Sequence, residues 1–349
     1  MKTMAGNSLK TALRTLALEA GAQAAGFARA CPVDTEAAEA FDRWIAEGRH
    51  CGMGYLENYG EVRRDPRLLL EPDASPEKLE AISGGYTVMV CAFSYYHPEC
   101  QESGAARIAM YAHGSDYHDV LRRRLRPLAA YLEEMGLKAR VCIDTAPLRE
   151  RYWAVRAGVG FIGRNGQLIV DGMGSYFFLA TVIFNAPVEP DGPCRRSCMG
   201  CGRCVSHCPG QALSPDGIVD ARRCLSYLTI EHRGELPHEL HLPDGSLRPM
   251  AEALGGRVYG CDECQRVCPH NAAPPETAIE EFRLRPALRS LTAEEILSLT
   301  PEGFASMFKG SAVKRAKLSG LQRNATAIAG KCHGHEQADG ESTPPRTQT

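Results

Sequence analysis

Nine of the chain's fifteen cysteines crowd into the stretch from Cys194 to Cys268. Within it, Cys198-Met199-Gly200-Cys201-Gly202-Arg203-Cys204-Val205-Ser206-His207-Cys208-Pro209 follows the pattern C-x2-C-x2-C-x3-C-P at every position. Three thiolates so spaced wrap one four-iron, four-sulfur cubane, and in two-cluster ferredoxins the fourth serves the neighbouring cluster. A structural zinc site would use pairs of C-x2-C instead. The ladder therefore predicts one-electron chemistry. The second motif, Cys261-Asp262-Glu263-Cys264-Gln265-Arg266-Val267-Cys268-Pro269, is one cysteine short. Two cubanes need eight thiolates and the motifs supply seven, so Cys224, lying between them, is the natural eighth. The expected sets are Cys198, Cys201, Cys204 and Cys268 for one cluster, and Cys208, Cys224, Cys261 and Cys264 for the other. Cys194 lies four residues before Cys198, where no thiolate is missing, and is read as a non-ligand. Cys31, Cys51, Cys91, Cys100, Cys142 and Cys332 are scattered and read as structural thiols.

The chain that must position these thiols has 349 residues, room for two or three domains. It is 44% hydrophobic and 23% charged with a net charge of -2, which argues against indiscriminate polyanion binding. Near the start, Arg14 and Glu19 interrupt any signal core, and no twin-arginine pair precedes it. The most apolar run, Tyr176 to Phe184, is too short to cross a bilayer. A cytoplasmic protein is expected, and in that reducing compartment many cysteines mean metal rather than disulfides.

Leu9, Leu13, Leu16, Ala17 and Ala20 recur at helical spacing, predicting a helix that stops near Gly21. Strands are predicted at Tyr86–Ser94, Lys138–Ile143 and Tyr176–Phe184, and helices at Asp119–Gly136, kinked by Pro127, and from about Pro147 to Gly158. This alternation indicates an α/β or α+β domain over residues 1–185. Residues 186–275, rich in Cys, Pro and Gly, have the texture of a module held by metal, and 276–330 read as helical. The polar tail, 331–349, reads as disordered.

Several stretches resemble the epoxyqueuosine reductases, a family of cobalamin and iron–sulfur enzymes acting on tRNA. They are Arg63-Arg64-Asp65-Pro66, Gly114-Ser115-Asp116-Tyr117-His118-Asp119-Val120-Leu121, Asp144-Thr145-Ala146-Pro147 and Arg156-Ala157-Gly158-Val159-Gly160-Phe161-Ile162-Gly163. Cys224-Leu225-Ser226-Tyr227-Leu228-Thr229-Ile230-Glu231, Tyr259-Gly260-Cys261-Asp262 and Leu321-Gln322-Arg323-Asn324-Ala325 follow in the family's order. The resemblance implies an α/β (α+β) cobalamin-binding domain, a bacterial-ferredoxin-like two-cluster module and a C-terminal helical segment. It implies a reaction too: the epoxide on a modified guanine at the tRNA wobble position takes up two electrons and two protons, leaving an alkene and water. The corrinoid would carry the hard chemistry and the protein would orient it and supply protons.

Asp144 matches the family's proton donor, a role that calls for a carboxyl still protonated near neutral pH. Its place before Pro147 equally suits a helix cap, which is stabilised as the anion. Arg63 matches the family's corrinoid contact, and Ser226 is expected near the corrin as well. Where some members carry a cysteine near the corrin, this chain has Ile108-Ala109-Met110. Asp116-Tyr117-His118 hints at the Asp-x-His-x-x-Gly signature of cobalt-ligating proteins, but Leu121 stands where glycine is required, so His118 is read as structural or near the substrate.

For tRNA the candidate phosphate contacts are Arg122, Arg123, Arg124 and Arg126 and, with more weight, Lys314, Arg315, Lys317 and Arg323. Charge runs are usually solvated faces, and the first group spans more than one side of a helix. An external electron donor and a monomeric state are expected. Two rival functions remain open: a corrinoid and iron–sulfur reductive dehalogenase of a small molecule, and a two-cluster electron carrier.

Overall fold

A computed structural model of the chain describes residues 6–81 and 85–329. The expected tail, and with it Cys332, lies outside the described residues. The strand Thr87–Ser94 is buried at every position, because both faces of its sheet are covered. Its neighbours are Ala24–Arg29 on one side and Phe177–Phe184 on the other, with Ala139–Cys142 at the far edge. All three pairings are antiparallel, which places this mixed fold with the α+β proteins rather than the parallel-sheet ones.

Alternate residues of the central strand serve two cores. Met89, Cys91 and Phe93 meet Leu13 and Ala17 of the helix Gly6–Glu19 and Leu125, Leu128 and Leu132 from the 117–134 region. Val88, Val90 and Ala92 meet Trp153 and Ala154 of the helix Glu150–Arg156. The long helix expected over Asp119–Gly136 is two helices, Tyr117–Arg124 and Arg126–Glu134. Pro127 sits in the first turn of the second, where its missing N–H costs nothing, and so it starts a helix instead of bending one.

A third core joins residues 106–112, the cysteine-bearing segment and the C-terminal helices. Tyr259, Leu254 and Val258 pack there with Phe308, Leu321 and Ala325. Asn324, fully buried, donates from Nδ2 to the carbonyls of Thr229 and Val258, both at 2.8 Å. A short parallel pairing of Arg257–Tyr259 with Arg107–Ile108 fastens the cysteine segment to the residues leading into the helix Tyr117–Arg124. Among the described residues no helix is long and apolar enough to cross a membrane.

Candidate active site

Cys198, Cys201, Cys204 and Cys268 line one open pocket, together with Gly163, Ile169 and Pro269. Burial and then the neighbouring thiols raise the pKa values of Cys204 and Cys268, each feeling Cys198 and Cys201. A second group forms deeper in the protein. Burial and then Cys261, Cys224 and Cys208 push the Cys264 thiol well above its ordinary value, and burial takes Cys261 to about 11. Cys198, Cys201, Cys204 and Cys268 thus share one lining, and Cys208, Cys224 and Cys261 lie near enough to Cys264 to act on its charge, although among the described residues no three cysteine, histidine or acidic groups are gathered as tightly as a single metal ion requires. Cys194 stands outside both, its amide donating to the Val155 carbonyl at 2.9 Å.

Backbone donors meet these sulfurs. The Ala212 N–H donates to Cys208 Sγ at 3.2 Å. The amides of Ser226 and Tyr227 favour the thiolate of Cys224, that of Glu263 favours Cys261, and those of His270 and Asn271 favour Cys268. Thiols gathered around a shared space, several of them supplied with N–H donors, fit a cationic cluster that binds them as thiolates. Two glycines make the approach possible. A Cβ on Gly210 would lie 1.9 Å from the Arg223 carbonyl, so only glycine lets the chain after Cys208 lie against the chain before Cys224. Gly260, at φ +72°, turns the chain into Cys261 while its N–H donates to Thr229 Oγ1 at 2.9 Å.

Asp144 follows the edge strand Ala139–Cys142 with φ +57°, a left-handed conformation unfavourable for most side chains other than glycine. Tyr117 Oη donates to Asp144 Oδ2 at 2.8 Å, His118 Nε2 lies 3.5 Å from the same oxygen, and the Asp144 N–H donates to Glu150 Oε1 at 3.0 Å. His118 Nδ1 in turn sits 2.7 Å from Asp116 Oδ1. The Asp144 side chain is 62% exposed yet flanked by protein, as on the floor of an open cleft. It caps no helix: the helix Glu150–Arg156 begins after Arg149.

Nor is Asp144 the neutral acid expected from its role. Burial works to raise its pKa, but the bonds from His118 and Tyr117 and the His118 charge outweigh burial and hold it below the usual carboxylate range. The protons sit on its neighbours. Burial opposes the charge on His118, but Asp116 and Asp144 override it and lift the imidazole to about 9. Burial and then the Asp144 charge raise Glu150 to about 8. The cleft therefore stores acid beside Asp144 rather than on it.

Tyrosines wall the cleft. Tyr111 feels Tyr259, Tyr117 and Asp144, and its Oη donates to Tyr259 Oη at 3.2 Å. Tyr55, 47% exposed, feels Glu231, Arg315 and Asp144, and the Arg315 guanidinium lies 5.6 Å from its ring centre. The deeper thiol group reaches this wall, because the Met110 N–H donates to Asp262 Oδ2 at 2.7 Å.

The other expected residues are placed as follows. Arg63 braces the Tyr55 loop, donating to the carbonyls of Asn58 and Tyr55, both at 3.1 Å, and borders a small cavity with Phe41 and Arg149. Ser226, half-buried, sits on the helix Leu225–Ile230 beside Cys224. Lys314 and Lys317 are exposed, and Arg315 holds Glu231 with two bonds of 2.8 and 2.7 Å. Arg323 departs from expectation. Its donors are spent on the carbonyls of Leu228, His232 and Gly234 and on Asn324, which makes it an internal brace with nothing left for a phosphate. Arg123 and Arg124 are likewise tied to Glu281.

The sequence from 76 to 145 matches the family model described as epoxyqueuosine reductase QueG, DUF1730, and residues 197–271 match a 4Fe-4S double cluster binding domain. An epoxyqueuosine reductase from Leadbetterella byssophila is 34% identical over 314 residues, covering 89% of this chain and 95% of that protein. The chain belongs to the epoxyqueuosine reductase family. Among solved members, a Bacillus subtilis enzyme described with its catalytic aspartate loop swung out of the active site superimposes with a TM-score of 0.79 at 28% identity. An epoxyqueuosine reductase in complex with an epoxyqueuosine-modified tRNA-Tyr stem loop superimposes at 0.76 with 29% identity, covering 93% of this chain and 81% of that one.

Within the family frame, Glu150 and the tyrosine wall are the residues that sequence reasoning missed. Glu150 lies in an ordinary helical stretch, Glu150-Arg151-Tyr152-Trp153, and nothing in its spacing marks it. Tyr117 and His118 lay in a quoted segment, but only the fold turns them toward Asp144.

Proposed function

We propose that this chain reduces epoxyqueuosine to queuosine at the wobble position of tRNA, with electrons entering through two [4Fe-4S] clusters and cobalamin bound in the Asp144 cleft. The observation that supports it most is the Asp144 site itself: a carboxylate held in a strained backbone conformation at the floor of an open cleft, with stored protons on His118 and Glu150. Cys198, Cys201, Cys204 and Cys268 hold one cluster, and Cys208, Cys224, Cys261 and Cys264 hold the other. Residues 1–185 form the catalytic domain, 186–275 the cluster module and 276–330 a helical segment packed on it. The protein acts as a monomer in the cytoplasm, where its tRNA is found.

The Asp144 side chain is 62% exposed, and Tyr55, Tyr111 and Tyr117 lie near enough to feel its charge, which supports a large flat cofactor lying beside them. Arg63 and Ser226 are the residues that hold cobalamin, Arg63 by donating to its amide or phosphate groups. When bound, cobalamin supplies the low-potential electrons that open the epoxide.

The remaining chemistry belongs to the chain. Opening the epoxide and losing its oxygen takes two electrons and two protons and releases one water. His118, charged at neutral pH, passes one proton across the 3.5 Å gap to Asp144 Oδ2, which relays it to the departing oxygen, and solvent supplies the second. Tyr117 fixes the orientation of the carboxyl through its 2.8 Å bond. Lys314 and Lys317, exposed and close in sequence to Arg315, draw the anticodon backbone to the cleft.

The deciding experiment is an anaerobic incubation of reconstituted protein with cobalamin, a strong reductant and an epoxyqueuosine stem loop, followed by mass spectrometry of the nucleosides. Loss of one oxygen from the modified base is expected. An unchanged base in the presence of two full clusters and bound cobalamin would refute the assignment.

A further inference from the structure

The two groups of thiols differ in how they meet solvent. Cys201 is exposed, and Met199 beside it is 60% exposed, whereas the Cys224, Cys261 and Cys264 thiols are enclosed by protein. An electron arriving from outside meets the first group first. Two more apolar side chains surface near it. Ile162, 42% exposed, precedes the cavity-lining Gly163, and Ile218, 38% exposed, follows Gly217, which packs against the backbone of Arg164.

The rim of this patch is cationic. Arg164 reaches over the ladder, its Nη1 donating to the Gly200 carbonyl at 3.3 Å. Arg195, three residues before Cys198, and Arg203, between Cys201 and Cys204, are exposed, and Arg196 is exposed and pairs with Asp171 at 3.0 Å. Asp216 lies near enough to Arg164 and Arg49 to feel their charges. Four arginines against two aspartates leave an excess of positive charge around an exposed apolar centre, in a chain whose net charge is -2. Apolar patches with a charged rim mark interaction sites, and the sign of the rim selects the partner.

We propose that this face docks an acidic one-electron carrier protein, of flavin or iron–sulfur type, that reduces the cluster held by Cys198, Cys201, Cys204 and Cys268. The proposal rests on the reading of those four cysteines as cluster ligands. In the step itself the carrier loses one electron and the cluster gains it, with no bond made or broken. RNA is the less favoured occupant, because the tRNA must reach Asp144, and the cation placed beside that site is Arg315, next to Tyr55.

The test is stopped-flow reduction of the reconstituted protein by a reduced, strongly acidic flavodoxin, comparing wild type with Arg195→Glu and with the Arg195→Glu, Arg203→Glu pair. Cluster absorbance before mixing reports whether the cysteines hold iron, so its absence would overturn the ligand assignment and not merely the docking face. With clusters present, the double variant should lose on the order of 10-fold or more in second-order rate at low salt, with the difference shrinking as salt rises. Reduction by dithionite, which needs no docking, should be unchanged. Equal flavodoxin rates for wild type and both variants would overturn the proposal. So would a loss of stem-loop affinity in the variants with no loss of carrier rate, which would give the face to RNA.

Discussion

Replacing His118 with glutamine tests where the acid of the cleft is stored. The imidazole rises from 6.5 to about 9 because, against burial, Asp116 and Asp144 favour its charged form. That rise corresponds to ~3 kcal/mol at 1.36 kcal/mol per pKa unit, and the part owed to Asp144, 62% exposed and so screened by water, is reduced to ~1 kcal/mol. The folded-state value is the higher one, so this stabilisation is complete below 6.5 and is lost as pH climbs through 9. His118→Gln should therefore lower Tm at pH 6 and approach the wild-type Tm near pH 10. Activity should show the same group. Wild-type turnover should fall on an alkaline limb near 9, where His118 gives up its proton. In the variant, Asp144 must draw protons from solvent, and the limb should move into the range of a lone carboxyl. With the limb moved to acid pH, kcat at pH 7.5 should drop on the order of 100-fold, the usual loss when a positioned general acid is no longer supplied with protons. The assay is the single-turnover rate on an epoxyqueuosine stem loop from pH 6 to 10. An alkaline limb that stays at about 9 without His118 would refute the stored-proton argument.

Cys224→Ser should bring iron content from about eight atoms per chain toward four, because a cubane with three thiolates is lost on desalting; two intact clusters by absorbance would remove Cys224 as a ligand. Asp144→Asn keeps the shape and the Tyr117 contact, so stem-loop and cobalamin affinity should persist while turnover falls by roughly 10²–10⁴; near-normal turnover would exclude Asp144 as the acid. Arg323→Ala strands the carbonyls of Leu228, His232 and Gly234 and should cost ~1–3 kcal/mol in urea unfolding with unchanged stem-loop affinity at low temperature. Lys314→Ala and Lys317→Ala should do the reverse, leaving stability alone and flattening the salt dependence of stem-loop binding by about 0.7–0.9 per lost contact.

The cysteines were legible because their chemistry is local: three thiolates on one short loop must obey the spacing of a cubane. Cys224 required counting rather than pattern, and the fold shows why no pattern marks it. It reaches its group through Gly210, whose missing Cβ allows a close backbone approach between segments far apart in sequence. Thr87–Ser94 and Phe177–Phe184 were legible in the same way, as apolar runs, but the alanine-rich strand Ala24–Arg29 was not, nor was the antiparallel order, since direction is set by connections that apolar pattern does not encode. The hairpin Gly160–Ile162 with Leu168–Val170 was hidden by strands of three residues each. Arg323 misled because a guanidinium that braces carbonyls and one that waits for phosphate have the same neighbours in sequence. Only the spent donors distinguish them.

The backbone at Asp144 ties these observations together. A non-glycine residue at φ +57° costs of order 1 kcal/mol or more, and here Tyr117, His118 and Glu150 hold it in place. Two of those three holds depend on protonation. Glu150, raised to about 8, accepts the Asp144 N–H as a neutral acid, and above that value it becomes a second anion beside Asp144. His118 loses its attraction for Asp144 near 9. The repulsion between the two carboxylates outweighs the stronger bond that a charged Glu150 accepts from the Asp144 N–H, so both changes work against the strained conformation. A depleted site would then release the Asp144 loop instead of leaving an exhausted acid in contact with substrate. Hydrogen exchange of the amides at 144–146, which should quicken between pH 8 and 9.5 beyond the intrinsic pH effect, would show this coupling, and a purely intrinsic slope would deny it.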